Sequence, residues 1–207
     1  MAHRIFPNRL RDRVQVSTYA PLDPAEVLQT AAQTTQVIRR GFGRWQGVLT
    51  FGLMEIGEGE DIRDIEAWLA GLEGRINTFD APIGIPNVGD IAGLDAGDMN
   101  TPPQALQLGG DITLSGGLAV IPVSGADAGL LRGHVISVGG QLYKLQSDLG
   151  SGTCTALPAR VVGASGDPVE WLRPVQKARV GTRGVGYGRR SGGLVGPWTI
   201  PWVSEAV

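Results

Sequence analysis

Cysteine, histidine and lysine are nearly missing from this chain of 207 residues, and long apolar runs are missing altogether. A lone cysteine, Cys154, excludes an internal disulfide, so packing alone has to hold the fold, as suits a chain assembled in a cytosol. With His3 and His134 as the only histidines, the sequence has no His/Cys set of the kind that cages zinc. Lys144 and Lys177 are the only lysines among 18 basic residues. The remainder are arginine, whose planar fork suits carboxylate pairing at interfaces, although a GC-rich genome gives the same bias. No stretch approaches the ~20 apolar residues that cross a bilayer. The opening MAHRIFPNRLRDRVQV carries positive charge without the apolar core of a signal peptide. The expectation is a soluble chain with no membrane insertion and no classical export. A net charge of −2 gives no general pull toward nucleic acid.

What the chain does have is 32 glycines, 13 prolines and a hydrophobic share of 42%. That share supports a real core, and the glycine and proline favour many turns and short strands over long helices. The expected fold class is mainly β (α+β), in one domain or two small ones.

The pattern along the chain agrees. RVQVSTYAP (residues 13–21) alternates and stops at Pro21, as a strand does. DPAEVLQTAA opens a helical turn with Pro24 at its first position, or else, with TQVIRR, reads as strand. RWQGVLTFGLM (44–54) places Trp45, Leu49, Phe51 and Leu53 on one strand face. IRDIEAWLAGLEGRINTF (62–79) contains the one clear helix, over about residues 60–73. Ile62, Ile65, Trp68, Leu69 and Leu72 recur at helical spacing. Asp61 is the expected cap, Asp64 its partner, and Gly71 and Gly74 the left-handed exit. INTFDAP then leaves as a strand or turn.

Residues 83–129 are rich in glycine, proline and aspartate, yet ALQLGGDITLSGGLAVIPV carries short β fragments. HVISVGGQLYKLQSDL is the best hairpin signal, since Gly139-Gly140 tolerates the positive φ angles of a two-residue turn. GTCTALPARVV and KARVGTR add strands. GPWTIPWVSEAV, with two tryptophans among prolines, suits an edge strand or a packed tail. The implied division is a β domain carrying the helix from residues 1–82 with 175–207, and a peripheral or inserted β region over 83–174.

Charge is segregated. Residues 42–99 hold 11 acids against Arg44, Arg63 and Arg75, whereas 173–190 hold six bases and no acid. The plain reading is two solvated faces. The sharper one is a head-to-tail contact between copies, with Arg173, Lys177, Arg179, Arg183, Arg189 and Arg190 as candidate intersubunit residues.

No set of residues points to catalysis, a cofactor or a metal. The nucleophile-elbow and Walker patterns are both missing. GTRGVGYGRR (181–190) lacks the strand-then-helix setting of a phosphate cradle and reads as a β-turn. Asp90, Asp95 and Asp98 are spaced too loosely for an EF-hand. Glu58 and Glu60 lie where acids are expected before a helix. Arg75, past the helix end, reads as structural or interfacial, because no nucleophile or anion site accompanies it. Cys154, in alternating GTCTAL, reads as a strand residue.

Three stretches together resemble small bacteriophage tail proteins of the minor or distal tail type. They are GRWQGVLTFGLM followed by DIEAWLAGLEGRINTFDAP, then GLLRGHVISVGGQLYKLQSDL, then GPWTIPWVSEAV, in the family's order and over about a third of the chain. The resemblance implies a β-sandwich or β-roll of tail-tube type with one flanking helix. Six copies would close into a ring around the DNA channel at the virion tail tip, after assembly in the host cytoplasm. The implied partners are the chain itself, the tail tube protein and the hub or fibre proteins, with genomic DNA only in passage. The allied alternatives are a tube or tube-terminator protein. A different class is a carbohydrate- or receptor-binding module of the tail tip, which exposed Trp198 and Trp202 would mark.

Overall fold

The computed structural model describes residues 2–7, 10, 13–22, 25–29, 35–39, 44–73, 76–83, 106–125, 129–149, 151–181, 184–186 and 188–205. For 15–18, 21–22, 25–29, 35–39 and 189 it describes the backbone only. The expectations placed on Pro24, Gly74, Arg75, Asp90, Asp95, Asp98 and Arg183 lie outside the described residues. Among the described residues the fold is mainly β with one α-helix.

The first body is a six-stranded sheet. Its strands are β1 (His3–Arg4), β2 (Val14–Leu22), β5 (Arg44–Phe51), β7 (Thr78–Pro82), β15 (Val175–Val180) and β18 (Trp198–Ser204). They lie in the order β1-β7-β15-β18-β5-β2. Only β1 and β7 run parallel; every other neighbouring pair is antiparallel. Between β2 and β5, the strands β3 (Ala25–Gln29) and β4 (Thr35–Arg39) pair with each other as a separate two-stranded ribbon. The helical alternative for DPAEVLQTAA is therefore overturned. Val27 and Leu28 meet Val37 and Gln36 in antiparallel register, so the residues that suit a helix are extended by their cross-strand partners.

Strand β5 buries Trp45, Leu49 and Phe51 but ends there, and Leu53 is exposed instead of sharing their face. After Gly52 the chain starts β6 (Met54–Glu55). This strand joins β17 (Leu194–Gly196), which pairs with β16 (Arg189–Ser191) to complete a three-stranded sheet.

The helix α1 spans Gly59–Gly71, with one apolar face formed by Ile62, Ile65, Trp68 and Leu69. Its cap is not Asp61. A 3-10 turn over Ile56–Glu58 precedes it, in which Glu55 and Glu58 form a reciprocal capping box, the Glu55 N–H donating to Glu58 Oε2 at 3.1 Å. This places Asp61 inside the first turn, where it pairs with Arg13 at 2.8 Å. Nor does Gly71 supply the left-handed exit. It stays helical, its carbonyl accepting from Arg4 Nε and Asn77 Nδ2, and Glu73 takes positive φ instead. Trp68 seats the helix on the sheet, meeting the rings of Phe6 and Phe79 edge-on at 4.9 and 5.2 Å. Side chains of this size each contribute ~1.5–3 kcal/mol when buried.

The C-terminal strand β18 is neither an edge strand nor a tail. It lies between β15 and β5, with Trp198, Ile200 and Trp202 buried. Pro201, which has no N–H to give, lies opposite the end of β15, where the Gly181 N–H still donates to its carbonyl at 2.7 Å and no donor is asked of the proline.

The second body is a closed barrel. It contains β8 (Leu106–Leu108), β10 (Leu118–Ser124), β11 (Val135–Val138), β12 (Gln141–Leu145), β13 (Thr153–Leu157) and β14 (Pro168–Glu170). Their order β13-β12-β11-β14-β8-β10 closes through an additional β13–β10 pairing, and β9 (Thr113–Ser115) is appended to β10. Closure removes the open edges that invite aggregation. The β11–β12 hairpin turns through Gly139 and Gly140 at φ 56° and 75°, the left-handed pair that a tight hairpin needs. The barrel has its own core, including Leu108, Ile121, Ile136, Tyr143 and Cys154.

The barrel is inserted at a hairpin of the sheet. Strands β7 and β15 are antiparallel neighbours with Pro82 opposite Val175. The chain departs at Ile83 and returns at Pro174, and the Ile83 N–H donates to the Pro174 carbonyl at 3.2 Å.

Candidate functional site

Where the barrel meets the sheet, alternation alone would bury only apolar groups. Strand β15 breaks that rule. Gln176 has the same parity as Ala178 and Val180 and is 1% exposed. A buried amide is tolerated only when its hydrogen bonds are made, and the partners come from the barrel. Gln176 Oε1 accepts from the Leu142 N–H at 3.0 Å and from Gln141 Nε2 at 3.3 Å. Gln141 Nε2 also donates to the Leu142 carbonyl at 2.8 Å. From the other side, Trp45 Nε1 donates to the same carbonyl at 3.0 Å, while the Trp45 N–H is held by Ser204 Oγ at 3.0 Å. Two further bonds cross the boundary: the Lys177 N–H to the Gly140 carbonyl at 2.6 Å and the Val175 N–H to Ser137 Oγ at 3.1 Å. Val135 and Leu142 of the barrel belong to the core of the sheet body.

Arg160 completes the seam. It follows β13, and its Nη1 donates to Gln141 Oε1 at 3.1 Å. Tyr143 donates its hydroxyl to the Arg160 carbonyl at 3.3 Å. Burial pushes the Tyr143 hydroxyl up to about 12. Burial likewise lowers Arg160 from its ordinary value, with the positive charge of Arg44 adding to the effect. Such a network is directional and dry. It fixes two β bodies in one orientation.

Beside the seam lies an open groove of about 270 Å³ lined by His3, Asp80, Gly139, Gly140, Val175 and Lys177. His3 Nε2 lies 3.1 Å from Asp80 Oδ2, and Nδ1 lies 3.1 Å from Thr78 Oγ1. A carboxylate only accepts, so Nε2 carries the proton toward Asp80, and Nδ1 accepts from the threonine hydroxyl. The order hydroxyl, imidazole, carboxylate is that of a nucleophilic relay. Thr78, however, is 3% exposed, so its oxygen is shut away from any substrate. The trio instead ties β1 to β7. Among the described residues, no group of three His, Cys, Asp or Glu side chains is placed to hold a metal ion.

The candidate basic residues are dispersed. Arg179 donates to Glu205 at 2.6 Å, and Lys177 lies 3.5 Å from the same carboxylate. The hydrogen bond from Arg179 is the main cause that holds Glu205 below its ordinary value. Arg190 reaches back to Glu66 on α1 at 3.7 Å. Arg173 is half-buried in the bend before β15, and Arg189 lies on β16. Trp198 and Trp202, named as candidate sugar platforms, are 1% and 2% exposed, so neither can stack on a glycan. Cys154 is buried, and that burial pushes its thiol up to about 11, far from a reactive thiolate.

The seam is what sequence reasoning missed. A signal existed: Gln176 sits at an inward position of an alternating strand, and Gln141 opens a strand of otherwise apolar parity. No protein-family model matches the chain, and no curated protein matches it in sequence.

Proposed function

We propose that this chain is a structural subunit of a bacteriophage tail tip, a distal-tail or baseplate ring protein that joins the tail tube to the hub or fibres around the DNA channel. In this reading the six-stranded sheet with α1 is the tail-tube-type sandwich body, six copies of which close the ring. The inserted barrel is the peripheral module that faces a neighbouring tail protein.

The observation that carries the reading is the β3–β4 ribbon. It lies between β2 and β5 in the chain and hydrogen-bonds as a sheet of two strands only. A two-stranded ribbon is marginal by itself in water, so a neighbouring copy that covers it accounts for its length. Leu53, Ile56 and Leu194, exposed around the β6–β17 pair, add apolar surface of the kind an assembly buries. DNA has to slide through without sticking, which a lumen with few bases favours.

The test is native mass spectrometry and negative-stain microscopy of the purified chain, with labelled antibody on intact virions. Annuli of six copies and label at the tail tip are expected. Replacing residues 25–39 by a tight turn should leave a folded monomer that no longer closes. Long stacked tubes would assign the chain to the tube instead, and rings that persist without the ribbon would sink this account of closure.

A further inference from the structure

Arg160 is 8% exposed, yet among the described residues no acid pairs with it. Its Nη1 donates to Gln141, a neutral amide. Its Nε is buried with no hydrogen-bond partner, and among the described residues no bond to Nη2 is present. The positive charge of Arg44, at the start of β5, adds to burial in disfavouring the charged form of Arg160. Buried guanidinium groups are ordinarily neutralised by a carboxylate or phosphate, because desolvation of a lone cation is otherwise uncompensated. Nothing in the seam requires a charge here. Gln141 is already held by Gln176 and the Leu142 peptide, and a neutral donor would serve its Oε1 equally well.

The edge left over is the informative part. A guanidinium presents two parallel N–H vectors along its Nε/Nη2 side, spaced to match two oxygens of a carboxylate or phosphate. Gln141 occupies the opposite side, so the remaining fork is preset in orientation by a buried bond. Arg44, exposed at the start of β5, acts on Arg160 as a second positive charge, which disfavours an empty site and favours an occupied one.

We propose that Arg160, assisted by Arg44, is an oxyanion-binding site at the seam between sheet and barrel, which accepts a carboxylate or phosphate group on its Nε/Nη2 edge. The anion comes either from solution or from an acidic side chain of a second copy. In both cases occupancy neutralises the seam and tightens the barrel on the sheet.

The experiment follows the Arg160 side-chain N–H resonances in the full-length chain, labelled with nitrogen-15 arginine. Inorganic phosphate and acetate are titrated at constant ionic strength against chloride. A saturable downfield shift of the Arg160 Nε–H with phosphate or acetate but not chloride is expected. Arg44→Gln should weaken that binding about tenfold. A shift that instead grows with protein concentration, without added anion, assigns the oxyanion to a neighbouring copy's carboxylate. Arg160→Gln should abolish the response. If that variant fails to fold, Arg44→Gln carries the test alone. An Arg160 resonance that moves with none of phosphate, acetate or protein concentration overturns the proposal, as does an Arg44→Gln chain that binds phosphate as well as the parent.

Discussion

The indole N–H of Trp45 and the carbonyl of Leu142 meet at 3.0 Å across the boundary between the sheet and the barrel. The Leu142 N–H is held by Gln176, so the backbone of one barrel residue is gripped on both sides by two side chains of the sheet. Gln176→Ala should destabilise the protein by ~1–3 kcal/mol, because it leaves the buried Leu142 N–H unpaired, and Trp45→Phe by only ~1 kcal/mol, because the Leu142 carbonyl keeps its bond from Gln141 Nε2. They act on one residue, so their effects should depart from additivity by ~0.5 kcal/mol or more. Urea denaturation of both single variants and the double variant measures this. Strict additivity would mean that the two bonds do not act as a unit.

Tyr143 makes stability fall at alkaline pH. In the unfolded chain a tyrosine ionises near its ordinary 10.0, whereas burial pushes the folded group up to about 12. Between those values the unfolded state gives up a proton that the folded state keeps, so the stabilisation is complete below pH 10 and lost as pH rises toward 12. Tyr143→Phe should cost ~1 kcal/mol at neutral pH, through the hydrogen bond to Arg160, and should remove this alkaline slope. Denaturation midpoints of parent and variant across that window should converge as pH rises.

Two glycines should respond with opposite sign. A Cβ on Gly188 would sit 2.7 Å from the Gly196 Cα and 2.8 Å from the Trp198 ring. Gly188→Ala should therefore cost ~1–3 kcal/mol as backbone and indole are forced apart. Gly59 opens α1 with helical φ and ψ of −58° and −21° and nothing near its missing Cβ. Gly59→Ala should stabilise by ~0.5–1 kcal/mol. Thermal melts of the two variants check both signs.

Cys154 should be silent toward thiol reagents in the folded protein. Its sulfur lies inside the barrel, 3.8 Å from the Ile121 carbonyl, and its raised pKa keeps it protonated at neutral pH. Ellman's reagent should label it only at the rate of barrel opening, accelerating with added urea. Rapid labelling in buffer would show that the barrel opens easily.

Residues with a strong period announced their places. Ile62, Ile65, Trp68, Leu69 and Leu72 stand at helical spacing, and Gly139-Gly140 between two alternating runs marks a hairpin; both are present. The errors arose where a tertiary partner decides. Asp61 is a sound local cap, but the Glu55–Glu58 turn caps the chain upstream. Prolines around Trp198 and Trp202 suggest an edge or a tail, yet the pairing of β18 with both β15 and β5 puts it inside the sheet. Neither fact is local. Barrel closure through β10 and β13 is beyond any window of sequence, since its partners lie more than thirty residues apart, as with Ala119 and Ala156. The seam is intermediate. Gln176 at an inward position flags a buried amide, but the identity of its partners, Gln141 and Leu142, follows only from the fold.

The hydrogen-bonded pair of tethers at Ile83 and Pro174 has a mechanical consequence. A pull on the barrel enters the sheet through the ends of two interior strands together. Traction along β7 and β15 must then shear their ladders against β1 and β18, whose bonds are loaded together, and cannot unzip a border strand one bond at a time. A module hung in this way transmits tension to its parent body stiffly.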